Sequence, residues 1–298
     1  MTDAVRPLKI AVWQAASVAA DAAANLAALD AAARTAAEQG VELLITPEMF
    51  VTGYNIGATV RGLAATEPLE RVRDISRRHA IAIVAGGPEL LSGAELLSGA
   101  ELLGGAEAQA ADPDPDPDPA SAPVANSAWL IDDTGAVLAK HRKIQLFGDL
   151  DRDMFVAGDE PLTIAEYRGH RIAILICFDV EFPETVRAAG HAGADLVAVP
   201  TAQMEPYRFV NEHVIRVRAW ENSLYVAYAN QHGPDGELEY VGRSVIAGPL
   251  GTHLAQADAA GEALLIAEVD RAERAAARAQ NPYLAEVRRE LFRGDALP

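Results

Sequence analysis

Short apolar runs of strand length recur along the chain and alternate with helix-length segments, a pattern that confines it to sheet layers covered by helices. Leu8-Lys-Ile-Ala-Val-Trp13 is the first run. The Ala-rich stretch Ala22 to Gln39 follows as a helix, with Asp21 as its N-cap and Gly40 as its stop, and leads into Val41-Glu-Leu-Leu-Ile-Thr46. Later runs are Ala80-Ile-Ala-Ile-Val-Ala85, Ser127-Ala-Trp-Leu-Ile131, Val137-Leu-Ala-Lys-His-Arg-Lys143, Ile172-Ala-Ile-Leu-Ile176, Leu196-Val-Ala-Val199, Leu224-Tyr-Val-Ala-Tyr-Ala229 and Leu264-Leu-Ile-Ala-Glu-Val269. Further helices are expected near Glu67 to His79, Pro183 to Ala192 and Pro206 to Asn222. The fold class is α/β, with the strand order left open.

Three runs bring a different reactive side chain to a strand's C-terminal edge, where α/β folds place their chemistry. Glu48 follows the run ending at Thr46, Lys143 ends its own run, and Cys177, the only cysteine, directly follows Ile176. A lone cysteine is more often a small buried hydrophobe than a nucleophile. The company of a carboxylate and an ammonium reverses that weighting. A free thiol is scarcely ionised at neutral pH, so Lys143 would favour the thiolate and Glu48 would accept its proton. The same lysine, with the backbone N–H of Phe178, could hold the oxyanion of a tetrahedral intermediate, and Glu48 could then pass its proton to departing ammonia.

Pro47-Glu48-Met-Phe, His141-Arg-Lys143-Ile-Gln-Leu and Cys177-Phe-Asp-Val-Glu-Phe-Pro-Glu184, in this order, resemble the three signatures of the nitrilase (carbon–nitrogen hydrolase) superfamily. Longer stretches resemble its aliphatic and amino-acid amidase branch, particularly delta-aminovaleramide amidases: Pro47 to Gly57, Leu146 to Phe155, Val199 to Tyr207 and Asn281-Pro-Tyr-Leu284. The resemblance runs from about Leu8 to about Phe292 with one interruption. It implies an αββα sandwich, Glu48 as base, Lys143 as oxyanion stabiliser and Cys177 as nucleophile. It also implies a second acidic residue, which falls on Asp151 when counted back from Gly158; many relatives have glutamate there, and Ala157 stands where proline is usual. Asp151 would orient either Lys143 or the substrate amide.

Residues placed to shape a pocket follow the same strand ends. Phe50, Tyr54 and Asn55 follow Glu48, and Phe147 follows Lys143; each aromatic is either pocket wall or core. Phe178 adjoins the nucleophile, and Thr201, Gln203 and Met204 follow the run at Leu196. Relatives acting on carboxylate-bearing substrates tend to have arginine four residues after the nucleophile, where this chain has Glu181. Glu181 would therefore face an amine-bearing substrate or, on the bland reading, only shape its loop. Arg218-Ala-Trp-Glu-Asn222 resembles a family stretch in which Glu221 and Asn222 are structural or interface residues.

The expected activity is hydrolysis of a small aliphatic or amino-acid amide to a carboxylate and ammonia through a Cys177 thioester. A nitrilase or N-carbamoyl hydrolase would use the same triad, and a non-catalytic binding or assembly protein would not need it intact. No cofactor is expected, because hydrolysis needs only water. Asp149-Leu-Asp-Arg-Asp153 echoes a calcium loop but has Met154 where glycine is required, and seven histidines with one cysteine make no zinc set.

A single domain over residues 1–298 is expected, interrupted by a surface insertion at 89–119. There Glu-Leu-Leu-Ser-Gly-Ala occurs twice, Glu-Leu-Leu-Gly-Gly-Ala once, and an Asp-Pro tract ends at Pro119. The period is too short for a solenoid, and proline supplies no N–H for a ladder. This stretch contributes eight carboxylates and no cation, so the net charge of −18 becomes −10 without it. The remaining acidity disfavours nucleic acid. No apolar stretch is long enough to span a bilayer, no signal-peptide core appears near the start, and one cysteine permits no internal disulfide. The expectation is a cytoplasmic homodimer or higher homo-oligomer with a small-molecule amide as its partner.

Overall fold

The computed structural model describes residues 5–92 and 122–288 together with Leu291. One six-stranded sheet contains β1 (Leu8–Gln14), β2 (Leu43–Ile45), β3 (Ala82–Leu90), β4 (Val124–Ile131), β5 (Val137–Arg142) and β14 (Ala263–Val269), in the order β14-β1-β2-β3-β4-β5. The other contains β6 (Thr163–Tyr167), β7 (His170–Ile174), β8 (Leu196–Thr201), β9 (Tyr225–Asn230), β12 (Val245–Ala247) and β13 (His253–Gln256), in the order β13-β12-β9-β8-β7-β6. β10 (His232–Asp235) and β11 (Leu238–Val241) form a separate hairpin.

Strand alternation sorts the apolar side chains into layers. Ile10, Val12, Leu43, Ile45 and Val84 of the first sheet meet Ile172, Ile174, Leu196, Ala198 and Ala227 of the second. Residues of opposite parity face outward under helices. Ala11, Trp13, Leu44 and Ile83 pack on Leu29, Ala33, Val72 and Ile75 of the helices Ala22–Glu38 and Pro68–His79. Ala173, Val197 and Val226 pack on Val186, Ile215 and Ala219 of the helices Pro183–His191 and Ile215–Asn222. The result is helix, sheet, sheet, helix, and each fully buried Ile, Leu or Val contributes roughly 1.5–3 kcal/mol.

Helix ends follow local chemistry. The Asp21 carboxylate accepts the Ala24 N–H at 2.9 Å at the start of the first helix. The helix expected over Pro206 to Asn222 is not uniform, because a π-helical turn at Val210–Val214 precedes the α-helix Ile215–Asn222. The strand expected from Ala80 begins at Ala82, since Ala80 is the left-handed C-cap of the preceding helix with φ +50°. The short strands β6 and β10 to β13 are not among the expected runs; β12 is a buried apolar triplet, whereas β13 has largely exposed side chains and is held by its ladder to β12.

Glu89 and Leu90, assigned by the repeat to the insertion, are the last residues of β3 and pair with Ala125 and Val124. The Glu89 carboxylate also pairs with Arg142 at 2.7 Å and with Lys140. Leu91, also within the repeat, is buried and donates to the Pro123 carbonyl at 2.9 Å, whereas residues 93–121, with the remainder of the repeat after Ser92 and the Asp-Pro tract, lie outside the described residues.

The topology gathers the strand ends. β1, β2 and β3 are mutually parallel, and β5 runs with them because two antiparallel pairings separate it from β3. β7, β8 and β9 are parallel, and a parallel bridge from Ala15 to Gln231 aligns the C-terminal edges of the two sheets. The Glu48 N–H donates to the Thr201 carbonyl at 3.2 Å across that edge.

Candidate active site

Beyond β7 the chain bends sharply at Cys177, which takes φ +46° and opens a 3-10 turn over Cys177–Glu181. A non-glycine residue in the left-handed region is strained by roughly 1–2 kcal/mol, so the surroundings must hold it there. Asp179 does much of this. Its Oδ2 accepts the Ile176 N–H at 3.0 Å, and its Oδ1 accepts the N–H groups of Ile144 at 3.1 Å and Gln145 at 2.8 Å. One buried carboxylate thus ties the thiol turn to the segment following Lys143. On the other side, the Arg218 guanidinium donates to the Val180 carbonyl at 2.9 Å and to the Glu181 carbonyl.

Glu48 is carried by a loop laid directly on β3. A Cβ on Gly86 would come within 2.8 Å of the Met49 nitrogen and 3.1 Å of the Glu48 Cα, so only glycine lets the loop lie there. Gly158 plays the same part for Lys143: it donates to the Lys143 carbonyl at 2.8 Å, and a Cβ would stand 2.6 Å from the Arg142 carbonyl oxygen. Ala157, where the resemblance expects proline, thus leaves this close approach intact.

Lys143, Glu48 and Asp151 are all fully buried. Lys143 Nζ donates to Glu48 Oε1 at 2.7 Å and pairs with Asp151 Oδ2 at 2.7 Å. Asp151 Oδ2 also accepts the Phe147 N–H at 2.8 Å, and Asp151 Oδ1 accepts the Tyr54 hydroxyl at 2.7 Å. Both oxygens of Asp151 are thereby committed to holding the lysine and its loop. Glu48 Oε1 takes a second donor, Asn126 Nδ2, at 2.7 Å, whereas Oε2 is buried without a conventional partner. The Cys177 thiol is close enough for the two groups to influence each other's ionisation.

Burial sets the electrostatics. It pushes the Cys177 thiol well above its ordinary range, the Glu48 carboxylate adds to this, and Lys143, Thr201 and the Ala202 N–H oppose it without prevailing. The ammonium does not make a resting thiolate, because Glu48 and Asp151 already share its charge. Burial likewise raises the Glu48 carboxyl. It works against the Lys143 ammonium, but Glu48, the Cys177 sulfur and Asp151 hold that group well above its usual value. The arrangement sets a thiol and a carboxyl, both with raised affinity for a proton, beside a fixed positive charge.

The other residues anticipated from sequence divide into two groups. Tyr54 is buried against the cluster, with Lys143 Nζ 5.7 Å from its ring centroid, and Thr201 donates to the Tyr228 hydroxyl at 3.0 Å beside Cys177. Phe147 and Phe178 stand edge to face at 5.4 Å, and Phe147 meets Tyr207 at 5.5 Å, forming an aromatic rim. Phe50 belongs instead to the core, 4.6 Å from Trp13. Glu181 accepts from Gln203 Nε2 at 3.1 Å and makes no ion pair with a described residue, and burial raises its carboxyl. Asn222 is buried and donates to the Arg218 carbonyl at 2.9 Å, and Glu221 pairs with Arg218 at 3.1 Å; both support the clamp on the thiol turn.

Sequence reasoning missed Asn126, Gln231 and Asp179. Gln231 donates to the Glu48 carbonyl at 3.1 Å from β9's end. A polar residue inside an apolar strand was the available signal for Asn126, and an acidic residue two positions after the thiol was the signal for Asp179.

Known proteins agree with this architecture. The carbon-nitrogen hydrolase family profile matches residues 9–279. A protein of Pseudomonas protegens described as a hydrolase in the pqqF 5′ region is 38% identical, covering 97% of this chain and 92% of its own length. An (R)-stereoselective amidase of a Pseudomonas species is 30% identical over 97% of this chain and 94% of its own. The crystal structure of an amidase from Nesterenkonia superposes with a TM-score of 0.78 at 32% identity, covering 98% of this chain and 97% of that one. Variants of that amidase are described in complex with butyramide and with an acetamide moiety added at the active-site cysteine. With the profile spanning nearly the whole chain and amidases among its relatives, the chain belongs to the carbon–nitrogen hydrolase family of the nitrilase superfamily.

Proposed function

We propose that this protein hydrolyses a small aliphatic or amino-acid amide to a carboxylate and ammonia through a thioester on Cys177. The observation that carries the reading is the fully buried Lys143–Glu48 pair at 2.7 Å, close enough to Cys177 to perturb its thiol, at the aligned edges of the two sheets. Glu48 takes the thiol proton as sulfur attacks the amide carbon. Lys143 Nζ and the Phe178 N–H receive the carbonyl oxygen as it gains negative charge. Collapse breaks the C–N bond, and the proton on Glu48 leaves with the nitrogen as ammonia. Water, deprotonated by Glu48, then cleaves the thioester and restores the thiol. Asp151 orients Lys143, because both of its oxygens are engaged around the lysine and its loop.

A finer reading concerns the substrate's far end. Glu181 is a half-buried carboxylate without an ion pair among the described residues, next to Gln203, and Lys143 is close enough to affect it. A cationic tail would complete it, as in delta-aminovaleramide. Tyr54, Phe147, Phe178 and Thr201 would line the intervening space. The (R)-stereoselective amidase and the Nesterenkonia amidase support an amide over a nitrile or carbamoyl substrate. A homo-oligomer agrees with the exposed Phe209, Val217 and Trp220 along one stretch of chain. In the test, amides, nitriles and N-carbamoyl compounds are offered to the purified protein while ammonia release and the mass of Cys177-bearing peptides are followed. Ammonia from amides with a transient acyl adduct on Cys177 is expected; turnover confined to nitriles or N-carbamoyl compounds would overturn the reading.

A further inference from the structure

Asn126 lies on β4 with the same parity as Ala128 and Leu130, which face the apolar layer between the sheets. A fully buried primary amide in such a layer requires a polar partner. It has two. Its Nδ2 donates to Glu48 Oε1 at 2.7 Å, and its backbone carbonyl accepts the Lys143 N–H at 2.8 Å. A single residue therefore touches both members of the Glu48 and Lys143 pair.

The orientation of this amide follows from its neighbour. A carboxylate can only accept, so turning the amide over would set Oδ1 against Glu48 Oε1 and lose the bond. Asn126 Oδ1 consequently points away and is buried without a partner. The strand retains this unfavourable acceptor, while an apolar residue at the same position would avoid it. That cost is the mark of a side chain held for its other end.

The consequence falls on the two oxygens of Glu48. Oε1 accepts both Lys143 and Asn126, each at 2.7 Å, and Oε2 accepts neither. Two donors on one oxygen fix the roll of the carboxylate about its last torsion and draw its charge toward Oε1. We propose that Asn126 is a positioning residue that makes Glu48 Oε2 the oxygen that exchanges protons with Cys177. The S–H bond breaks as the Oε2–H bond forms, the sulfur electron pair attacks the substrate carbon, and the same proton later leaves on the amine. Asn126 neither gives nor takes a proton in this sequence. It also stabilises the ionised base, because its bond is made to the carboxylate form.

This inference rests on the reading of Glu48 as the base, and its test separates the two. Asn126→Leu removes the donor with little change of shape, and Asn126→Ser removes it with a smaller polar side chain should the leucine variant fail to fold. The readout is kcat/KM against pH for wild type and variant, with Glu48→Gln measured alongside. Loss of a donor to the ionised form raises the pKa, so the acid limb is expected to move to higher pH by about half to one unit. On the plateau kcat should fall about tenfold or more with KM little altered, since the contact acts on the base and not on the substrate. An acid limb unmoved in a folded variant, with Glu48→Gln inactive, overturns the role given to Asn126 alone. Full turnover in Glu48→Gln overturns the reading of the base itself.

Discussion

The Lys143 ammonium and the Asp151 carboxylate meet at 2.7 Å with neither side chain exposed to solvent. Glu48 completes a buried triad in which one positive charge lies between two carboxylates. Such a group is stable only while its single cation is present, because the interior penalises carboxylates left without a counter-charge. Lys143 is thus a structural keystone of the site, and the part proposed for it in catalysis rests on the same contacts.

Lys143→Ala should accordingly lose activity and stability together. Removing the cation leaves two carboxylates facing each other in the interior, a loss of about 3–5 kcal/mol. Glu48→Gln keeps shape and hydrogen-bonding capacity, so its activity should fall by orders of magnitude with a far smaller thermal shift. Calorimetry beside ammonia assays checks this. Equal melting temperatures for the two variants would contradict the triad as described.

Cys177→Ala should abolish turnover while the fold persists. The thiol is small, so the cavity left behind is minor, but nothing else in the site can form the thioester. Intact-protein mass spectrometry with a slow amide substrate should show an acyl adduct on wild type and none on the variant. Undiminished ammonia release from the variant would refute the assignment.

The resting thiol should titrate late. Burial and then Glu48 hold the Cys177 thiol well above its ordinary range, so the neutral form prevails through neutral and mildly alkaline pH. Ultraviolet difference spectra between wild type and Cys177→Ala should gain no thiolate absorbance between about pH 6 and pH 9. A thiolate band appearing near neutrality would show that Lys143 prevails after all.

Asp179→Ala should damage the site from a distance. The carboxylate accepts from Ile144, Gln145 and Ile176 and lies 3.1 Å from the His141 ring, joining the lysine segment to the thiol turn. Its loss strands several buried donors, at about 1–3 kcal/mol for each unsatisfied group. Reduced melting temperature together with a fall in kcat is expected; wild-type stability would disprove the clamp.

Glu181→Gln tests the reading of substrate charge. The variant should lower kcat/KM for delta-aminovaleramide by about tenfold while leaving valeramide nearly unchanged, and a carboxylate-tailed amide should improve. An identical ranking of the three amides in both proteins would remove Glu181 from recognition.

Local sequence determined the strand-forming runs, the capped helix beginning after Asp21 and the strand-end positions of Glu48, Lys143 and Cys177, because periodicity and capping act over only a few residues. It also carried the motif order that marks the family. What only the tertiary structure decided lies in contacts between distant segments. Asn126 meets Glu48 across 78 positions and Gln231 meets it across 183, distances over which no local pattern operates. The same holds for Glu89: the repeat beginning there suggested a surface insertion, yet pairing with β4 and the cations of β5 places the residue in a strand. The protonation of Cys177 was decided in three dimensions as well. A sequence shows a lysine available to a thiol, but only the fold shows two buried carboxylates holding that lysine's charge and the burial that keeps the proton on sulfur.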